Sequence, residues 1–137
     1  MIEYSSVDKF ELKKKNELSS WIQFVLDEED RELGEVNYIF CSDDYLREIN
    51  VKRLKHNTLT DIISLDYSLG AVVSGDIYIS HERVKENAIN LGIDFNDELH
   101  RVMVHGILHY CGYKDKSDAE KQMMRTKEDY YLSLRTF

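Results

Sequence analysis

Residues 61–92 read DIISLDYSLGAVVSGDIYISHERVKENAINLG. The first seven, DIISLDY, are rich in β-branched and aromatic residues and predict a strand. GDIYIS at 75–80 predicts another. Ser80 then stands where a helix N-cap is expected, and Gly92 where that helix stops near residue 90. Working outward, Val36, Tyr38 and Phe40 alternate along a strand that follows a break at Gly34 and ends near Ser42. Ser42, Asp43 and Asp44 cap a short helix over 44–54. Upstream, Leu12, Leu18, Trp21, Ile22, Val25 and Leu26 fall mostly on three-to-four spacing, so 11–30 predicts an amphipathic helix. Downstream, residues 94–97 cap a helix over 96–111 that ends at Gly112. Ser117 with Glu120 forms a capping-box pattern for a last helix to about residue 134. Strands interleaved with helices imply an α+β fold, a small mixed sheet covered by about five helices.

The chain has 137 residues, a length that suits one domain spanning 1–137. Its hydrophobic share of 42% and charged share of 32% belong to a soluble globular class. No apolar run approaches the roughly 20 residues a bilayer span needs, and no signal-peptide pattern opens the chain, so a cytoplasmic location is expected. The formal net charge of −8 argues against a general nucleic-acid binder, though not against a local basic patch. Cys41 and Cys111 form no CxxC pair and are read as reduced, packed thiols.

Chemistry concentrates in HRVMVHGILHYCGYKDK, residues 100–116. His105 and His109 stand four apart on a helix, so they share a face with Cβ atoms about 5–6 Å apart. Two imidazoles so placed can ligate one ion. Gly112 turns the chain back after His109, and Asp115 follows at a distance suited to a third ligand. Three protein ligands with an open fourth position is a catalytic pattern; Asp115 acting only as a helix cap is the alternative. Gly106 after the first histidine excludes HExxH, whose glutamate is the base of zinc proteases. Gly106 itself permits either close helix packing or close approach of a substrate.

The segment HGILHYCGYKDK resembles the signature HGxLHLxGYDH of the YbeY family of ribosomal-RNA maturation endoribonucleases, in which three histidines bind zinc. Asn50 with TDIIS at 60–64, GDIYIS at 75–80 and ELHRV at 98–102 resemble further family blocks in the same order. The resemblance implies a metal-dependent endoribonuclease. It would cut single-stranded ribosomal RNA, in maturation of the 3′ end of small-subunit (16S) RNA and in ribosome quality control. It also implies one Zn2+ on His105, His109 and Asp115, with the small ribosomal subunit or its proteins as partners and no membrane.

Two positions depart from the family pattern. Asp115 stands where the third histidine belongs, and two imidazoles with one carboxylate also suit other divalent metals, iron among them. Leu54 stands where the family commonly has an arginine near RNA phosphate, so Arg53 or Lys55 is the expected substitute. Arg53 and His56 are the phosphate-handling candidates, and Asp61 is the candidate base. A rival reading is a non-catalytic ribosome-assembly factor with a structural metal, favoured by the acidic charge and Leu54. A hydrolase of another small substrate is a third.

Overall fold

The computed structural model describes residues 1–54 and 60–137, with residues 53 and 54 as backbone alone. Its elements are β1 (Ile2–Ser6), α1 (Lys15–Glu28), β2 (Glu32–Cys41), α2 (Asp43–Leu54), β3 (Ile62–Asp66), β4 (Val72–Ser80), α3 (His81–Leu91), α4 (Phe95–Tyr110) and α5 (Asp118–Ser133). The sheet order is β1-β2-β4-β3. β1, β2 and β4 run parallel, and β3 lies antiparallel on β4. This is the expected α+β fold, a mixed sheet with five helices among the described residues.

Strand periodicity sorts the core. Val36, Tyr38 and Phe40 of β2 and Ile77 and Ile79 of β4 are fully buried on one face. They meet Leu18, Trp21, Ile22, Val25 and Leu26 of α1 and Val102, Met103 and Ile107 of α4 in one cluster. Each such side chain contributes about 1.5–3 kcal/mol on leaving water. Cys41 and Ile63, of opposite parity, form a smaller cluster with Leu46 of α2. α4 is the central helix, with buried residues around most of its circumference. A Cβ on Gly106 would sit 3.1 Å from both Ile62 Cδ1 and Ile77 Cδ1, so that glycine serves packing of α4 on the sheet. Trp21 Nε1 donates to Tyr131 O at 2.9 Å and ties α1 to α5.

Four local features differ from the sequence expectation. β1 went unread because it is an edge strand with only half-buried positions, Ile2, Tyr4 and Ser6. α1 starts at Lys15, because Lys14 adopts a left-handed conformation at φ 61° that cannot continue a helix. Gly34 lies inside β2, at a register shift between Leu33 and Val36, where the neighbouring strand approaches closely. It marks a bulge and not a strand boundary. β4 begins at Val72, ahead of the expected Gly75. The thiols of Cys41 and Cys111 are free and buried, as read, and burial pushes them up to about 12 and about 11.

His100 gives the fold a pH dependence. It is 6% exposed, packed beside Trp21 and Phe137, and its Nδ1 accepts from Arg135 Nη1 at 2.7 Å. Burial, then the Arg135 charge, pushes its pKa down to about 4. The unfolded chain takes up that proton near pH 6.5. The stabilisation from neutral His100 is therefore complete above pH 6.5 and is lost as pH falls toward 4, by about 3 kcal/mol. Urea unfolding at pH 7 and pH 4.5 should show a smaller loss in His100→Gln than in the wild type. Equal losses in the two would contradict the assignment.

Candidate metal centre

The helix, the turn and the next helix cap together place three donors. α4 presents His105 and His109 on one face, with ring centroids 4.6 Å apart and planes at 79°. Gly112 N–H donates to His109 O at 3.0 Å and Tyr113 N–H to Leu108 O at 3.1 Å. That pair of bonds is a Schellman stop, and Gly112 supplies its left-handed φ of 101°. Tyr113 Oη donates to Glu29 Oε1 at 2.8 Å and pins the turn to α1. At the other end Ser117 is the α5 N-cap, with Glu120 completing a capping box. Asp115 is thus held between two fixed points and is not the helix cap.

The resulting triangle is tight. His105 Nε2 and His109 Nε2 are 3.0 Å apart, and Asp115 Oδ2 is 3.2 Å from each. Among the described residues, these three form the cluster of potential metal donors. Tetrahedral zinc with bonds of about 2.0–2.1 Å separates its ligand atoms by about 3.3 Å. The donor set and spacing therefore fit one ion with a position left open.

A carboxylate that the sequence reading passed over sets the tautomer. His105 Nδ1–H donates to Glu128 Oε2 at 2.6 Å, which leaves the Nε2 lone pair facing the triangle. Glu128, on α5, is 5% exposed and also accepts from Arg101 Nη1 at 3.1 Å. Arg101 is further paired to Asp129 at 2.9 Å. Burial lowers the His105 pKa, but the Glu128 hydrogen bond and the charges of Glu128, Asp115 and Asp61 outweigh it and raise the imidazole above its usual value. The available clue to Glu128 was its spacing: a carboxylate stands between Met124 and Tyr131 on the buried stripe of α5.

The triangle lies in a cleft of about 1060 Å³. Asp61, just ahead of β3, lines the same cleft, and Asn87 Nδ2 donates to its Oδ2 at 3.4 Å. Burial is the largest influence on the Asp61 carboxyl and raises its pKa. Arg53 lies on α2 with its side chain outside the described residues, and Lys55 and His56 lie outside them altogether. Cys111 takes no part in the donor cluster.

A family model described as Endoribonuclease YbeY matches residues 3–135. The chain belongs to that family. A curated "Endoribonuclease YbeY" from Flavobacterium psychrophilum is 54% identical over 134 residues, covering 98% of this chain and 96% of the relative. One of the same name from Cytophaga hutchinsonii is 47% identical over 130 residues, covering 94% and 91%. The solution structure of a Thermotoga maritima protein aligns with a TM-score of 0.66 at 28% identity, over 97% of this chain and 87% of the other. YbeY membership makes the chain a nuclease, a hydrolase of phosphodiester bonds. Among the described residues no helix is long and apolar enough to cross a membrane.

Proposed function

We propose that this chain cuts single-stranded RNA at the His105–His109–Asp115 centre, with one Zn2+ as its resident ion. The proposed substrate is the precursor 3′ end of small-subunit (16S) ribosomal RNA. The proposed setting is maturation and quality control of the small ribosomal subunit in the cytoplasm, on the subunit or its proteins. The observation that carries the enzyme reading is the open triangle of three donors inside a solvent-accessible cleft. A closed four-ligand site would serve structure alone.

When bound, the ion supplies Lewis acidity toward a phosphoryl oxygen and lowers the pKa of coordinated water to about 7. The chain's residues do the rest. Glu128 holds the His105 ring in the tautomer that offers Nε2. Asp61, with its raised pKa, takes a proton from the attacking hydroxyl and returns one to the leaving oxygen. Arg53 and His56, or Lys55 in place of Arg53, hold the phosphate under attack. Two imidazoles and one carboxylate also accept iron(II), so the same site admits another divalent ion.

The net charge of −8 and Leu54 in place of the family arginine favour a second reading, an assembly factor whose metal is structural. Purified wild type should cut a single-stranded RNA carrying the precursor 3′ end, spare the same sequence in a duplex, and stop when a chelator is added. RNA binding without cleavage in the metal-loaded protein would contradict the nuclease and leave the assembly factor.

A further inference from the structure

The cleft's α5 wall is cationic. Lys121 and Arg125 stand one helical turn apart and line the cleft with Met124 and Glu128, and Lys116 lies at the cleft just ahead of the helix. All three cations are exposed. Among the described residues none of them has a carboxylate within ion-pair distance, whereas Arg101, deeper in the cleft, is held by Glu98, Glu128 and Asp129. Burial raises the pKa of the Glu98 carboxyl; the charge of Arg101, and to a smaller extent that of Arg125, opposes the rise. The facing wall, from Thr60 to Asp66, carries acids and hydroxyls.

Part of the backbone at the start of α5 is already engaged by the capping box. Ser117 Oγ accepts from Glu120 N–H, and Glu120 Oε1 accepts from the N–H groups of Lys116 and Ser117. The side-chain cations of this wall are exposed and available to a phosphate. In a chain with a net charge of −8, long-range attraction to RNA is absent, so contacts have to come from such a local patch. Four residues of helix rise about 6 Å, comparable to the step between adjacent phosphates of a nucleic-acid strand.

We infer that Lys121 and Arg125, with Lys116 at the cleft mouth, bind the backbone phosphates flanking the bond to be cut, so that the RNA strand runs along α5 past the donor triangle. This inference rests on the nuclease reading and adds the course of the substrate. It also assigns this chain phosphate contacts on α5 in addition to those proposed near Arg53. Because the contacts are to phosphate, they carry no sequence information.

The test is steady-state cleavage of single-stranded RNA across a salt series, in the metal-loaded wild type and a Lys121→Gln/Arg125→Gln double variant. Both residues are exposed, so folding and metal content should match the wild type. The double variant should raise KM by about tenfold with kcat little changed. The slope of log(kcat/KM) against log salt should flatten by about 1.4, from two phosphate contacts at about 0.7 each. Lys121→Arg/Arg125→Lys should restore both. A double variant with wild-type KM and slope, alongside a wild type that cleaves, would overturn the α5 track alone. A wild type that neither binds nor cleaves RNA would overturn the nuclease reading and the track with it.

Discussion

Replacing His105 or His109 with alanine should abolish metal binding and slow RNA cleavage by about a thousandfold or more. That corresponds to about 4 kcal/mol of lost transition-state stabilisation, the scale of a metal's contribution to a phosphoryl reaction. The fold should survive. The two side chains are 21% and 30% exposed at the cleft, while the packing of α4 rests on Leu99, Val102, Met103 and Ile107 behind them. Asp115→Ala should lose less than either histidine variant, because a water molecule can take an oxygen ligand's place. Single-turnover cleavage and thermal melting of the three variants check this ordering. A His109→Ala protein that cuts RNA at the wild-type rate would remove the centre from the chemistry.

Glu128→Ala should weaken metal binding by about 10–100-fold, the usual effect of removing the carboxylate that orients a ligating histidine. It should also destabilise the metal-free protein by about 2 kcal/mol. The guanidinium of Arg101 would lose one of its carboxylates in a largely buried place, although Asp129 remains at 2.9 Å. Glu128→Gln keeps an acceptor for His105 Nδ1–H and should lose less than tenfold in metal affinity. Chelator competition gives the affinities, and urea unfolding of the metal-free proteins gives the stabilities. Unchanged affinity in Glu128→Ala would show that the 2.6 Å contact does not orient the ligand.

Features of the sequence that are local in origin were the readable ones. Ser80 and Gly92 bound α3 as read, because capping is decided within a turn of the helix end. The same holds for Gly112 and for the Ser117–Glu120 box, and together they place Asp115 beside His105 and His109. β1 escaped notice because an edge strand gains its burial from a partner far along the chain, Val36 to Phe40. Glu128 escaped for a related reason. Nothing within α5 distinguishes it from a solvent-facing acid until α5 docks on α4 and brings it to His105, 23 positions away in the chain. The alternatives for Gly106 were resolved only by the side chains of Ile62 and Ile77 that meet it across the sheet.

The most direct test of the centre is elemental analysis of purified protein, wild type beside His105→Ala and His109→Ala. One equivalent of a divalent metal in the wild type, lost with either histidine, is the expected result, with zinc as the proposed element. Metal-free wild type, after purification without chelators and with metal supplied, would contradict the account and leave His105, His109 and Asp115 as a hydrogen-bonded cluster alone.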